Sequence, residues 1–320
     1  LYYKDFFSNE KINDICKIYL DGLQWILDYY FNEITSLYNK NRLPNKIILS
    51  GQKGLGKFTL AIHIINYILS KNEDFTYDIK NFKINENNRS YKLIINNSSS
   101  NFYLIDVPKD KKNIEINQIR ELINFCNKSS LNDQPRFILV NNLGSMNLNS
   151  SNALLRTLEE PNDNIYFILI NSSHKILPTI KSRCLDFKVN LSQKECMEIF
   201  NKITKQDINT LINKDLIPHY FTTGDLVNLH NFSIQNDIDL LNISLKNLLL
   251  KIIDGNHYKK DDLDINLIHS FIQIYFFSYL KSNNFNEFYT KFIESVENVK
   301  RFNLDIESIF IQFRHHLTNE

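Results

Sequence analysis

Residues 46–57 read Lys46-Ile47-Ile48-Leu49-Ser50-Gly51-Gln52-Lys53-Gly54-Leu55-Gly56-Lys57. The first five form a short apolar run of the kind that makes a buried strand. Three of the chain's seven glycines then fall within six residues, at Gly51, Gly54 and Gly56, and Lys57 follows. A helical pattern continues to about Leu69. A Gly-rich turn between a strand and a helix lets backbone N–H groups curl toward phosphate oxygens, and the helix N-terminus adds a positive field. Lys57 would reach the outer phosphates. A surface lysine after an ordinary glycine turn is the plain alternative, but it leaves the strand–loop–helix context unexplained.

Working outward, apolar residues at helical spacing run from Ile12 through Ile15, Tyr19, Leu23, Ile26, Tyr30 and Ile34 to Leu37, and Pro44-Asn45 ends that segment. Lys71 to Asn101 is polar and Asn/Ser-rich, read as an irregular excursion. Four further strands follow: Phe102–Asp106, Arg136–Val140, Ile165–Asn171 and Cys184–Val189. Helices are expected at Ile116–Cys126 and at Ser150–Glu160, the second stopped by Pro161. Strands alternating with helices imply a parallel five-stranded sheet with helices on both faces. From Ser192 onward the pattern is helical, including Cys196–Ile203, Leu240–Ile253, Leu263–Leu280 and Phe285–Val299. The expected organisation is an α/β phosphate-loop domain over 1–190, a small helical lid over 191–234, and an all-α domain over 235–320.

Composition narrows the function classes. The chain has 320 residues, 43% of them hydrophobic, enough for two or three domains with a sizeable core. Basic residues number 37 against 36 acidic, a net charge of +1, which gives no electrostatic footprint for autonomous nucleic-acid binding. Cys16, Cys126, Cys184 and Cys196 are scattered without C-x-x-C spacing, so neither zinc nor a disulfide framework is indicated, and reduced thiols in the cytoplasm are expected. No secretory signal or membrane-length apolar run stands out.

The loop lacks parts that phosphoryl transfer needs. The residue after the lysine should carry a hydroxyl for Mg²⁺; here it is Phe58. Thr59 comes one residue later, roughly 100° around a helix. The third strand runs into Asn141 and Asn142, where metal-binding and water-activating carboxylates would be expected. An amide carries no net charge, so it is a poor Mg²⁺ ligand and no general base. Both losses point to a retired active site that needs no metal or cofactor and binds ATP weakly or not at all.

Several segments resemble one family. The loop 51–57, the helix INQIRELINFC (116–126), the strand end VNNLGSMN (140–147), NSSNALLRTLEEP (149–161) and LPTIKSRC (177–184) are similar, in that order, to segments of the AAA+ clamp-loader subunits of bacterial DNA polymerase III. The resemblance is strong over about residues 40–190; beyond that it rests on helical character. It implies that Arg183, in Ser182-Arg183-Cys184, is an arginine finger projected into a neighbouring subunit's ATP site. Arginine suits that work because it stays charged and binds oxygens at two points. It also implies that Asn171 matches a nucleotide-sensing position and that Asp225, after Gly224, replaces the second sensor's arginine. A carboxylate there would repel triphosphate. The family's four-Cys zinc module has no counterpart in Lys71–Asn101, so no zinc is expected.

These departures favour the non-motor delta-prime role over the motor. The implied partners are gamma/tau-type motor subunits, delta, the sliding clamp and primed DNA, with no membrane, and the helical C-terminal region would build an oligomeric collar. Arg120 and Lys128 are candidates for DNA contact, although a solvated helix face accounts for both. One alternative is an active clamp-loader ATPase with unorthodox ligands, distinguished by phosphate release from the isolated chain. A weaker one is a P-loop kinase, which needs Mg²⁺ carboxylates and a basic lid and leaves LPTIKSRC unexplained. A structural adaptor using the helical region alone is partly contained in the collar role.

Overall fold

The computed structural model describes residues 27–108, 111, 113–128, 132–159, 164–172, 176–259, 263–279, 290–295, 298 and 306–319. The expected helix from Ile12 lies outside these residues up to 26, as do Glu160, Pro161 and most of Phe285–Val299. The chain divides into two compact units, one through Ile203 and one from Thr204. The sequence had suggested boundaries at 190/191 and 234/235.

Five apolar runs make the sheet of the first unit: β1 Lys46–Ser50, β2 Phe102–Ile105, β3 Arg136–Val140, β4 Ile165–Asn171 and β5 Leu185–Lys188. Every pairing is parallel and the order is β2-β3-β4-β1-β5. Helices fill the connections: α1 Asn32–Asn39 before β1, α2 Lys57–Leu69 and α3 Arg89–Ile95 before β2, α4 Ile116–Asn127, α5 Leu148–Glu159 and α6 Pro178–Lys181 between later strands, and α7 Gln193–Thr204 after β5. Strand side chains alternate between faces. Ile138, Val140, Ile165, Phe167 and Leu169 form one core with Ile119, Leu122 and Cys126 of α4, Leu154 and Leu158 of α5, and Ile180 of α6. The intervening residues serve the other face. There Phe137 stacks on Tyr166, whose ring meets Tyr38 of α1 edge-on, and α2 packs beside β4.

The segment Lys71–Asn101, expected to be irregular, contains α3. Its first N–H groups are met by side chains, the usual requirement for a stable helix start. Asn88 Oδ1 accepts from Tyr91 N at 2.8 Å, and the Glu73 carboxylate accepts from the N–H groups of Arg89 and Ser90 at 2.8 and 3.0 Å. Tyr77 and Phe82 of the same segment join an aromatic cluster: Phe31 stacks on Tyr77 at 5.1 Å between ring centroids, with Phe82 and Tyr67 edge-on to Phe31.

Every regular element described in the second unit is a helix: α8 Ile208–Leu211, α9 Thr223–Gln235, α10 Leu245–Asp254, α11 Ile265–Tyr279, a stretch at 290–295, and α12 Glu307–Asn319, with a short 3-10 turn at Lys214–Leu216. Its core is apolar and aromatic, with α10 packed on both α11 and α12, and Phe271, Tyr275, Phe276, Phe310 and Phe313 all buried. No helix among the described residues is long and apolar enough to cross a membrane.

Candidate functional site

In an all-parallel sheet every strand delivers its C-terminal end to the same edge, where α/β proteins assemble ligand sites. At that edge stand the loop 51–57 after β1, Asp106 after β2, Asn141 and Asn142 after β3, Asn171 at the end of β4, and Val189 after β5. Sheet-like hydrogen bonds run past the strand ends: Gly51 N donates to Asn171 O at 3.2 Å, Val189 N to Ser50 O at 2.7 Å, and Asn141 N to Ile105 O at 2.8 Å. The sequence-predicted residues Gly51, Lys57, Asn141, Asn142 and Asn171 are therefore gathered on one edge.

The loop has the backbone that its glycines allow. Gly51, Gly54 and Gly56 have φ of 149°, 88° and 76°, and Gly56 caps α2 in the left-handed conformation. A Cβ on Gly51 would lie 2.2 Å from the Val189 carbonyl oxygen, so this close approach admits only glycine. Lys57 is only 4% exposed. Its ammonium donates to the carbonyl oxygens of Gly51, at 2.8 Å, and Gln52. Burial lowers its pKa to about 8. Phe58 stands half-buried where a hydroxyl would be needed, and Thr59 is buried.

The two amides face a carboxylate. Asn141 Nδ2 donates to Asp106 Oδ2 at 2.8 Å, and Asn142 Nδ2 donates to Oδ1 at 2.9 Å, which also accepts Val107 N at 2.7 Å. Gln118 Nε2 of α4 donates to the Asp106 carbonyl at 2.8 Å. A carboxylate only accepts, so each asparagine must turn its NH₂ inward. Asn142 takes a left-handed conformation, φ 55°, to do so. In the sequence Asp106 is only the last residue of an expected strand; the signal that marks it is an acid ending the strand beside one that ends in two asparagines.

Arg183 lies at the other end of the sheet, between α6 and β5. Leu185 pairs with Ile47 at the start of β1, whereas the phosphate loop follows the end of β1. Its Nη2 is 2.8 Å from Glu159 Oε1 at the end of α5, and its Nη1 donates to Thr179 O at 2.9 Å. The pair joins NSSNALLRTLEEP to LPTIKSRC. Glu159 was not singled out from the sequence, where it was one letter of a motif. By contrast, Arg136 is buried and structural: it donates to the carbonyls of Phe125, Cys126 and Lys128 and so closes the C-terminus of α4. Arg120 bonds Asn117 on its own helix.

Asp225 belongs to the second unit and closes a capping box on α9: its Oδ2 accepts Thr222 N at 2.9 Å, and its own N–H returns to Thr222 Oγ1 at 3.2 Å. Burial pushes the thiols of Cys126 and Cys184 up to about 11, so neither is a thiolate near neutral pH. Among the described residues no three His, Cys, Asp or Glu side chains group to hold a metal ion.

Comparison with known proteins adds the family. The chain is 27% identical over 139 residues to the DNA polymerase III subunit delta' of Pseudomonas aeruginosa, covering 43% of this chain and 40% of that protein. It is 27% identical over 250 residues to the DNA polymerase III subunit gamma of Buchnera aphidicola subsp. Schizaphis graminum, covering 72% and 66%. The matches thus span between two fifths and two thirds of these relatives' own length. A crystal structure of a gamma subunit-related protein of DNA polymerase III from Thermotoga maritima superposes with a TM-score of 0.48 at 18% identity, over 89% of this chain and 99% of that one. The family model described as "DNA polymerase III, delta subunit" matches residues 28–195, more than half of the sequence, and the chain belongs to that family of clamp-loader subunits.

Proposed function

We propose that this chain fills the non-motor delta-prime role in a DNA polymerase III clamp loader. It assembles with gamma/tau-type motor subunits and delta, acts on the sliding clamp and primed DNA through that assembly, and lends Arg183 to a neighbour's ATP site. It hydrolyses no ATP itself and requires no metal or cofactor of its own. Gamma subunits match at the same identity as delta' subunits, so the role rests on the chemistry of the site.

One observation carries the reading: the positions for Mg²⁺-binding and water-activating acids hold Asn141 and Asn142, and both amides are spent on Asp106. Phe58 removes the metal-binding hydroxyl as well. What supports action in trans is distance. Leu185 pairs with Ile47, and Gly51 begins the loop four residues later, roughly 13 Å at the rise of a strand. Arg183 precedes Leu185 at that same end of the sheet, which fits a phosphate held by another chain better than one held by its own.

The test is phosphate release with Mg²⁺ and ATP, from the purified chain and from rings of verified composition with clamp and primed DNA. The chain alone is expected to stay at background. Arg183→Ala is expected to leave ring assembly intact and to lower ring turnover; donated arginines are worth on the order of 10³–10⁵ at a single site, diluted in a ring with several. Arg183→Lys should rescue poorly, since an ammonium cannot make the planar two-point contact. Motor-like turnover by the isolated chain would favour the gamma-type reading instead.

A further inference from the structure

Resting on the reading of Arg183 as a donated arginine, we propose that Glu159 is its positioning residue, the side chain that holds the guanidinium in place for a neighbour's phosphate. A free arginine side chain loses much rotamer freedom when it is fixed, and that loss weakens any contact made across a subunit boundary. Here two of its nitrogens are already engaged. Nη2 meets the Glu159 carboxylate at 2.8 Å and Nη1 meets the Thr179 carbonyl at 2.9 Å. A guanidinium has five N–H donors, more than these contacts use.

Both acceptors stand on anchored backbone. Glu159 follows Leu158, which is fully buried and whose carbonyl accepts from Lys46 Nζ at 2.9 Å. Thr179 precedes Ile180, buried in the same core as Leu158 and Leu154. The acceptor pair therefore moves with the sheet. With side chains 36% and 48% exposed, the ion pair adds little to fold stability. Its geometry accounts for more than its stability does: it links two of the segments that resemble the family's and fixes one edge of the side chain that the proposed function uses.

Rings of verified composition, stimulated by clamp and primed DNA, are compared as wild type, Glu159→Ala, Glu159→Gln, Arg183→Ala and the double Glu159→Ala/Arg183→Ala. Glu159→Ala is expected to lower kcat about three- to tenfold with little change in KM for ATP. Glu159→Gln keeps an acceptor oxygen and should fall between, and it serves as the readout if Glu159→Ala fails to assemble. The double variant should be no slower than Arg183→Ala. If Arg183→Ala is slow while both Glu159 variants run at or above the wild-type rate, Glu159 does not position the arginine and the donated-arginine reading stands. An equal slowing by Glu159→Ala in the Arg183→Ala background would likewise overturn the proposal. Wild-type turnover by Arg183→Ala would overturn the donated arginine and, with it, the role of Glu159.

Discussion

Asp106, Asn141 and Asn142 place one acid and two amides at adjoining strand ends, an arrangement that ties β2 to β3 and leaves no carboxylate on β3 for a metal. Hydrogen bonds from a neutral donor to a charged acceptor are among the stronger ones, and an acceptor left without its donors is costly. Replacing Asn142 by Asp sets a second carboxylate against the first. Asn142→Asp should lower the urea midpoint at pH 7 by the equivalent of about 1–3 kcal/mol, and Asp106→Asn on top of it should recover most of the loss. Equal midpoints for wild type and Asn142→Asp would mean that the contact does not hold the strand ends. The two asparagines were legible in the sequence because a strand end is where acids were expected. Asp106 was not, because its meeting with them depends on the register that pairs Ile105 with Val140, which no local pattern encodes. Phe58 needed only its place after Lys57. Arg183 and Glu159 were legible as letters of motifs, but their ion pair depends on α5 packing against α6.

The strands were readable because buried parallel strands are near-continuous apolar runs, and each ends within a residue or so of its expected limit. The helix α3 was hidden because only seven residues form it and part of its cap comes from Glu73, far back along the chain, beside the local Asn88. Tyr77, in the aromatic cluster with Phe31, meets His63 on α2, which is fully buried with its Nδ1 2.7 Å from Tyr77 Oη. Burial lowers its pKa from 6.5 to about 3, so it stays neutral in the folded chain while the unfolded chain takes a proton below about 6.5. The sign follows: this contribution is complete above pH 6.5 and is lost as pH falls toward 3, by at most about 1.4 kcal/mol per pH unit. Urea unfolding of wild type and His63→Phe between pH 7 and 4.5 should show a shallower decline in the variant, whatever its absolute stability. Parallel declines would mean that His63 does not titrate against folding.

At the scale of the whole chain, the sequence separated an α/β part from a helical part, and the two compact units reproduce that contrast with the division between Ile203 and Thr204. The finer split at 234/235 falls within the second unit, one residue before α9 ends at Gln235, so a chain ended there would keep part of that unit's helices. The unit boundary is the better place to test which part assembles. In the second unit Phe277 and Ile311 are 68% and 47% exposed on α11 and α12, although the same helices bury Phe276 and Phe310 one position away. Exposed large apolar side chains on a unit already rich in buried aromatics are what a helical collar would cover. A chain ending at residue 203 should retain the circular dichroism of an α/β unit and unfold cooperatively, yet fail to enter the ring when mixed with motor and delta subunits. The full chain carrying Phe277→Ser and Ile311→Ser should keep its helical signal and show weakened assembly on gel filtration, which separates a lost surface from a lost fold. Entry of the shortened chain into rings at the full-length level would remove the collar role from the second unit and move assembly to the α/β unit.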